Sequence, residues 1–563
     1  METFVDPSIL LFMIHPLYGI DGKGYIEFTY LMYHMYGVIG LVRKSKNHSS
    51  VRHVCKESVM SERHADKFKI LSLFSGCGGL DLGFAQLGAD SLELQKIEGG
   101  KRQPRGTCFE ILWANDIYPP SCQTYSANFG VKPYTEPEEP YSGRSRLFQG
   151  DIAKISFENA VRGEEIDVVL GGFPCQDFSI IRGTDNRLGI KVKRGRLYCH
   201  FVRALAWTQP KMFIAENVKG LVSVNKGLAY KQILDDFENL RVRWDEIEIE
   251  YENSSFRKKA LNSRKLEEYH ILFSEVVKFK NLGVPQARER VIIIGLRKDL
   301  FQQLDYPKVA VQELKNRLHR SGSILSKFPI TPIEAFYGNT LGSLQHEYEK
   351  VMLEFAGNIE NIDSKRKKVF VERVWPNYTF DIWQDYVWLN QNNNKKKHNL
   401  TAWAGEEALI EKTHRDILLE LGYYGKPLNK TSIFEDRSNV ILREADHIRE
   451  RMKNIPPGEN HEFVKDTEYH VTGLMSNIYR RIHPLKPSPT IIAKGGGGTW
   501  GYHYAKDRQK LTNRERARLQ TFPDSFVFKG KPAEVRTQLG EAVPPLASKV
   551  IANAVAKILD KIS

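Results

Sequence analysis

Short apolar runs alternate with longer stretches of helical character between residues 67 and about 300. This alternation predicts an α/β domain built on a mainly parallel sheet. Turn residues or glycines follow most of the runs, and loops at the carboxyl ends of such strands are where α/β folds bind ligands. The predicted strands cover residues 69–74, 110–115, 166–170, 212–215 and 291–296.

From about residue 301 to 472 the pattern changes to charged, Asn-rich and aromatic-rich sequence without this rhythm, which predicts a separate module. Basic runs at 365–368 and 395–397 suit contact with phosphates, and aromatic residues between them suit stacking on bases, although such runs are also typical of a solvated face. A regular pattern resumes after Met475, and apolar residues at helical spacing over 546–562 predict an amphipathic helix that docks on the first domain. The aromatic residues are Trp375, Tyr378, Trp383, Tyr386 and Trp388.

Composition changes this picture mainly through charge. With 563 residues the chain exceeds one average core, and its hydrophobic share of 41% and charged share of 27% are ordinary for a soluble protein. The formal net charge of +14 favours a polyanionic partner such as nucleic acid, although a basic protein without such a partner would carry it too.

The six cysteines form no CxxC pair and have no metal-type spacing with histidine, so we expect neither a metal site nor a disulfide framework, and a reducing cytoplasm fits best. Apolar runs at 9–20 and 25–42 are interrupted by polar residues and Pro16, so we predict no membrane span. The block lacks a basic n-region and a cleavage site, which argues against a signal peptide. One hypothesis is that the native start is Met60, just before the first predicted strand.

The run GGFPCQDFS at 171–179 places a lone thiol, Cys175, on a loop after a predicted strand. Most cysteines are buried and do no chemistry, so this feature alone does not establish a nucleophile. Other features of the sequence support a functional role for this thiol. A Gly-rich loop lies upstream, Glu216 follows an apolar run, and Arg288 and Arg290 follow further on. Together these residues indicate a reaction centre.

A second feature is the strand, glycine loop and helix pattern of LSLFSGCGGL at 71–80, where glycines let the backbone approach a ligand closely. It predicts a nucleotide-like cofactor, but similar loops bind dinucleotides or serve only as tight turns. Asp116 at the end of the next strand is placed to bind ribose hydroxyls, or is a plain loop aspartate. Asp151 would lie on the same sheet edge.

These motifs, in this order, resemble the DNA (cytosine-5) methyltransferase family of the bacterial restriction-modification type. The resemblance runs from residue 74 to 547, with a variable gap where the family carries its target-recognition region. The matching motifs are FSGCGGLDLGF at 74–84, GDI at 150–152, GFPCQDFS at 172–179, ENVKGL at 216–221, QARER at 286–290, RLQTFPDSF at 518–526 and GEAVPPLA at 540–547.

The resemblance implies a Rossmann-like fold of S-adenosylmethionine-dependent methyltransferases: a mixed sheet with helices on both faces, plus a smaller target-recognition domain. It also implies an organisation into four segments. These are an N-terminal extension of unknown role at 1–66, a catalytic and cofactor-binding domain at 67–300, a target-recognition domain at 301–475, and the end of that domain with a C-terminal helix returning to the catalytic domain at 476–563.

The implied activity is methyl transfer from S-adenosylmethionine to C5 of a cytosine in a specific DNA sequence. Because C5 is a poor nucleophile, Cys175 would add to C6 and Glu216 would hydrogen-bond or protonate N3. By resemblance Arg288 would contact the base, and Arg290 would support the loop or a phosphate. The target carbon is inaccessible in a stacked duplex, so the cytosine would be flipped out, with a mobile basic loop at 182–196 closing over it.

By resemblance the cofactor would lie against the glycine loop, with Asp116 at the ribose and Ile117 beside the adenine. Two departures from the family pattern concern this site: Ile117 stands where an aromatic is usual, and Glu541 where Asn is common. The implied cofactor residues are Phe74, Gly76, Gly78, Gly79, Leu80, Asp116, Ile117, Asp151, Ile152, Pro174, Leu197 and Val543.

The implied partners are double-stranded DNA and a cognate restriction endonuclease acting on the same site, with the enzyme a cytoplasmic monomer that does not engage membranes. Three alternatives stay open. A tRNA cytosine-5 methyltransferase of the same fold is disfavoured by the long segment 301–472. A nicotinamide-dependent oxidoreductase would leave Cys175 and Glu216 without roles, and the intact pair also argues against a catalytically silent DNA-binding protein.

Overall fold

The computed structural model describes residues 67–85, 108–136, 145–174, 197–242, 249, 254–359, 363–375, 381–391, 406–471, 478–493, 498, 499 and 501–562, together with three strands nearer the N-terminus. Residues 1–66 form one unit and residues 67–563 another. The three strands of the first unit form an antiparallel sheet in sequence order: β1 (Pro16–Ile20), β2 (Ile26–Tyr33) and β3 (Ile39–Arg43).

The second unit is organised around an eight-stranded mixed sheet in the order β10-β11-β9-β8-β4-β5-β7-β6. The strands from β9 to β6 pair in parallel, whereas β11 runs antiparallel to both β9 and β10. Each of the five predicted strands is present. The strands are β4 (Phe68–Leu73), β5 (Phe109–Asp116), β6 (Pro133–Tyr134), β7 (Arg146–Gln149), β8 (Val168–Gly171), β9 (Met212–Val218), β10 (Tyr269–Lys278) and β11 (Glu289–Arg297).

Helices cover both faces of this sheet, as the fold prediction requires. The helices of the second unit are α1 (Gly79–Phe84), α2 (Pro119–Phe129), α3 (Phe157–Val161), α4 (Tyr198–Thr208), α5 (Leu228–Glu238), α6 (Ser254–Asn262), α7 (Lys298–Phe301), α8 (Pro307–His319), α9 (Ile324–Lys327), α10 (Pro332–Tyr337), α11 (Gln345–Ile359), α12 (Ser364–Val369), α13 (Ile382–Gln391), α14 (Glu407–Glu420), α15 (Asp446–Lys453), α16 (Asn513–Leu519), α17 (Pro532–Glu541) and α18 (Pro545–Leu559).

Successive strand residues point to opposite faces, which explains why the central strands are apolar throughout. In β4, Ile70 packs in the cluster that contains α8 and α18. Its neighbour Leu71 packs in the cluster that contains α4 and α5. The sheet is therefore the middle layer of three.

The C-terminal helix α18 docks on the sheet domain, as predicted. The Ser548 hydroxyl donates a hydrogen bond of 2.5 Å to the carbonyl of Leu80 in α1. A Cβ atom added to Gly83 would lie only 2.2 Å from that of Ser548, so the two helices need a glycine at this crossing. The stretch Pro532–Leu559 is long and apolar enough to cross a membrane, but 78% of its most apolar window is buried, as in a core helix.

A further apolar cluster between residues 328 and 519 lies within the segment predicted as a recognition module and its continuation. Trp375 and Tyr386 belong to this cluster and are 1% and 0% exposed. Their polar atoms are used internally, since Trp375 Nε1 donates to Asp385 and the Tyr386 hydroxyl to the carbonyl of Pro329. The prediction that these two rings stack on bases is therefore wrong. Tyr378 and the basic run 395–397 lie outside the described residues.

Candidate active site

The carboxyl ends of the parallel strands bring the predicted site residues to one edge of the sheet. Strand β11 runs antiparallel to β9, so it begins at the edge where β9 ends, and Arg290 is paired with Val218 in the register. The QARER motif is thereby delivered to the same edge as Glu216, although 70 or more residues separate them in sequence.

The glycine loop after β4 combines packed and open positions. Phe74, Gly76 and Gly78 all have positive φ angles, of 54°, 56° and 90°. A Cβ on Gly78 would lie 2.4 Å from the Phe129 ring, and one on Gly79 would lie 2.5 Å from the Val543 carbonyl oxygen. A Cβ on Gly76 would meet nothing within 4 Å, so its backbone borders open space.

Asp116 is tied to this loop. Its Oδ2 accepts from the Gly76 backbone N–H at 2.9 Å, and its Oδ1 accepts from that of Tyr118 at 2.8 Å. Burial raises the pKa of the carboxyl, while the backbone donors oppose that shift. The next residue, Ile117, has 64% of its surface exposed beside this carboxylate.

The remaining predicted cofactor residues surround this edge. Asp151 caps a short 3₁₀ turn by accepting from the Ala153 N–H at 3.0 Å, and Ile152 is buried with its carbonyl bonded to Arg203 Nη2 at 2.8 Å. Neighbouring contacts bind the strand ends together, since Asn115 Nδ2 donates to the Gly150 carbonyl. Two others, Pro174 and Leu197, are half-buried, while Leu80 and Val543 are buried.

These residues fit a nucleoside-containing cofactor. The open space beside Gly76, the Asp116 carboxylate and the exposed Ile117 supply a backbone approach, an acceptor for hydroxyl groups and an apolar surface. Among the described residues, no group of three or more His, Cys, Asp or Glu side chains could hold a metal ion.

Glu216 lies near the end of β9 with its side chain buried and paired. It is 8% exposed, and its Oε1 lies 2.9 Å from Arg290 Nε. Burial raises the pKa of this carboxyl, and the nearby Arg290 and Arg288 only partly oppose the shift. A carboxyl with a raised pKa is suited to share a proton near neutral pH.

The loop after β8 passes directly beside this carboxyl. A Cβ added to Gly172 would lie 2.9 Å from Glu216 Oε2. The loop is held in place because Asn217 Nδ2 donates to the Phe173 carbonyl at 3.2 Å. The chain that leads to Cys175 therefore starts next to Glu216. Cys175 itself lies outside the described residues, as does the predicted basic loop at 182–196.

The two arginines of QARER have different environments. Arg290 contacts Glu216, whereas Arg288 is 1% exposed and donates to the carbonyls of Ile491, at 3.2 Å, and Gly540, at 3.1 Å. Contact of Arg288 with the base stays a prediction. The guanidinium group that lies against the Glu216 carboxyl is that of Arg290.

Sequence reasoning missed the role of Gln286. Its Oε1 accepts from the Ile491 N–H at 3.0 Å, and its Nε2 donates to the Leu519 carbonyl at 3.3 Å. Gln286 and Arg288 thus clamp the segment around residue 491 from one strand end. The QARER match contained this signal, although only its arginines were assigned roles.

Another thiol near the site is chemically quiet. Cys77 in the glycine loop is 2% exposed, and burial raises its pKa to about 12. A thiol in this state is almost fully protonated at neutral pH, so it is not the nucleophile that this edge requires.

The family model described as C-5 cytosine-specific DNA methylase matches residues 68–557. The chain belongs to this family. It is a DNA (cytosine-5-)-methyltransferase, and its methyl donor is S-adenosylmethionine. The reaction class predicted from the motifs is thereby confirmed.

Curated relatives agree with this assignment over most of their length. The chain is 47% identical to the DNA (cytosine-5-)-methyltransferase M.ApeKI of Aeropyrum pernix over 504 residues, which cover 88% of this chain and 100% of the relative. It is 31% identical to the type II methyltransferase M.NgoFVII of Neisseria gonorrhoeae, covering 88% of each. It is also 31% identical to the type II methyltransferase M.BbvI of Brevibacillus brevis, covering 88% of this chain and 92% of the relative.

Proposed function

We propose that this cytosine-5 methyltransferase acts on a flipped-out cytosine through a covalent bond between Cys175 and C6. The observation that supports this most strongly is the placement of Glu216. Its buried carboxyl, paired with Arg290, lies beside Gly172 at the start of the loop that carries Cys175. A carboxyl and a thiol acting together would supply the two activations that an unreactive C5 needs.

In the proposed sequence the Cys175 thiolate forms an S–C6 bond, and the electron pair of the C5–C6 double bond is displaced toward the ring carbonyl and N3. Glu216 donates a hydrogen bond or proton at N3, which stabilises this charge and leaves C5 nucleophilic. When bound, S-adenosylmethionine would supply the methyl group for C5, and the electron pair of the broken sulfur–methyl bond would stay on sulfur to leave S-adenosylhomocysteine. A base then removes the C5 proton, the C5–C6 double bond re-forms as the thiolate leaves C6 with its electron pair, and any proton donated to N3 returns to Glu216.

Within this proposal Arg290 and Arg288 have different roles. Arg290 touches Glu216 and is therefore placed to contact the base that Glu216 contacts. Arg288 holds the backbone at Ile491 and Gly540, which fixes the segments that meet this edge. Besides the base contact expected for it by resemblance, Arg288 would position these segments through their backbone carbonyls.

The cofactor would lie between the glycine loop and the neighbouring strand ends. Gly76 would allow close backbone approach, Asp116 would accept from ribose hydroxyls, and Ile117 would cover the adenine. We further propose that Phe74, Gly78, Gly79, Leu80, Asp151, Ile152, Pro174, Leu197 and Val543 shape the rest of this pocket.

The DNA would lie between this edge and the recognition region proposed at 301–475. Exposed Lys365 and Lys367 are available to phosphates there, whereas Lys368 lies 3.8 Å from Glu372 and Arg366 is held by Asp363 and the Phe463 carbonyl. Flipping the cytosine costs a few kcal/mol, which phosphate contacts and closure of the loop at 182–196 would offset. Because relatives carry type II methyltransferase names, we propose that the enzyme protects a site from a cognate restriction endonuclease. We further propose that it acts as a monomer in the cytoplasm.

Trapping the covalent species tests this proposal. DNA copied with 5-fluorocytosine has no C5 proton to lose, so the enzyme should stall as a denaturant-resistant protein–DNA adduct in the presence of S-adenosylmethionine. The Cys175→Ala variant should form no adduct, while Cys108→Ala, a change at a half-buried thiol at the start of β5, should form it normally. An adduct that survives Cys175→Ala would overturn the assignment of the nucleophile.

A further inference from the structure

Gly172 follows strand β8 and lies beside the Glu216 carboxyl. Gly172 does not have the positive φ angle that favours glycine, so its backbone conformation is open to other residues. An added Cβ would lie in ordinary contact with the Glu216 backbone oxygen, at 3.7 Å, and carboxyl carbon, at 4.0 Å, but only 2.9 Å from Oε2 of its side chain. The missing side chain therefore leaves room for one oxygen of the reactive carboxyl.

The backbone on both sides of this contact is held firmly. Phe173 is 3% exposed and packs against Tyr198, Phe201 and Phe237, with ring centroids 6.2 to 6.5 Å apart. Glu216 lies in β9, paired with β11 on one side while β8 flanks it on the other. Since neither backbone can easily retreat, a methyl group at position 172 would displace the Glu216 carboxyl.

The two carboxyl oxygens are not equivalent. Oε1 lies 2.9 Å from the positively charged Arg290, which favours negative charge on that oxygen and disfavours a proton there. Oε2 instead lies at the bare backbone of Gly172. The oxygen suited to carry a proton is the one that glycine leaves uncovered.

We propose that Gly172 is a positioning residue that keeps Oε2 of Glu216 open to the target base, so that Oε2, and not the Arg290-paired Oε1, exchanges the proton with cytosine N3. This inference rests on the proposed function, because it assigns atoms within the same acid. It predicts that Gly172 matters for the chemical step through Glu216 and not for folding or DNA affinity.

The test measures single-turnover methylation on a duplex carrying the sequence that the wild-type enzyme methylates. Gly172→Ala should lower the methylation rate about 10- to 100-fold, part of what proton transfer contributes, with DNA affinity unchanged within about threefold. The matched control is Gly357→Ala in α11, where an added Cβ meets nothing within 4 Å and the rate should not change.

A double variant separates positioning from a general structural effect. In the Glu216→Gln background no catalytic proton remains to be positioned, so adding Gly172→Ala should lower the rate by less than about twofold more. Full activity of Gly172→Ala, or multiplied losses in the double variant, would contradict the proposal. Loss of folding by Gly172→Ala would contradict it too, because the crowding would then not be absorbed by the Glu216 side chain. If wild type transfers no methyl group to C5, the proposed function itself fails.

Discussion

Two buried carboxyl groups of this enzyme, those of Glu216 and Glu334, are each paired with a basic side chain, and their surroundings differ. In the cluster between residues 328 and 519, Glu334 Oε1 lies 2.8 Å from His414 Nδ1, and both side chains are 0% exposed. Glu334 Oε2 accepts from the N–H and hydroxyl of Thr331, at 3.0 and 2.8 Å, which closes a capping box at α10. Both oxygens of the Glu334 carboxyl therefore have partners within this cluster.

At the sheet edge, Arg290 forms an ion pair with Oε1 of Glu216. The other oxygen lies against Gly172. A fully enclosed carboxylate stabilises the fold, while one that is buried yet left open on one side can react with an incoming base. The difference lies in how the second oxygen is used.

Replacing Glu216 removes the proposed acid of the reaction and should affect catalysis strongly. Glu216→Gln keeps the size of the side chain but removes the proton, so the methylation rate should fall by about 10²- to 10⁴-fold. The free energy of unfolding should change little, because burial already disfavours the charged form. Single-turnover methylation and urea unfolding measure the two quantities. A rate near that of wild type would remove Glu216 from the mechanism.

The opposite outcome is expected for Glu334→Ala. Removing this partner leaves His414 and Thr331 buried without their acceptor, so the free energy of unfolding should drop by about 3–5 kcal/mol. The methylation rate per folded molecule should stay close to that of wild type. A rate loss as large as that of Glu216→Gln, with unchanged stability, would show that the two carboxylates do not differ as described.

Replacing Arg290 should mainly affect catalysis and replacing Arg288 should mainly affect stability, with smaller effects than for the two glutamates. Arg290→Ala should slow methylation about 100-fold by letting the Glu216 carboxyl move. Arg288→Ala should instead lower the free energy of unfolding by about 1–3 kcal/mol, because the Ile491 and Gly540 carbonyls lose a buried donor. Kinetics and urea unfolding of both variants measure this, and an exchange of the two phenotypes would contradict it.

The smallest expected effect is a pH dependence of stability. Burial lowers the pKa of His414, but Glu334 and the Phe328 carbonyl outweigh it, and the net pKa is raised above 6.5. A raised pKa means that the folded state binds the proton more tightly, so this contribution is complete below about pH 6.5 and is lost as pH rises through the folded pKa. Urea unfolding at values from about pH 5.5 to about pH 9 gives the free energy of unfolding of wild type and of His414→Gln. The difference between these two free energies should shrink as the pH rises. A constant difference would indicate that His414 stays neutral.

Much of the sheet could be predicted because its central strands are continuous apolar runs. The strand β10 was missed because it lies at the edge of the sheet and mixes Ser274, Glu275 and Lys278 with apolar residues. Strands β6 and β7 are only two and four residues long, too short for a pattern.

The site divides in the same way. The position of Glu216 could be predicted because an apolar run precedes it, and the glycine loop because its motif is local. The contacts of Arg288 and Arg290 could not, since they depend on which distant backbone and side-chain atoms the antiparallel strand β11 meets. Trp375 and Tyr386 were misassigned because composition does not reveal that Asp385 and the Pro329 carbonyl satisfy their polar atoms.

A base-resolution map of methylated cytosine in a methylation-free bacterial host tests whether Cys175 and Glu216 carry out the reaction. Cells would express wild type, Cys175→Ala or Glu216→Gln at matched levels of folded protein. We predict one short sequence carrying 5-methylcytosine with wild type, none with Cys175→Ala, and only trace methylation of that sequence with Glu216→Gln. Methylation that persists in Cys175→Ala, or a methyl group on an atom other than C5, would contradict the central claim.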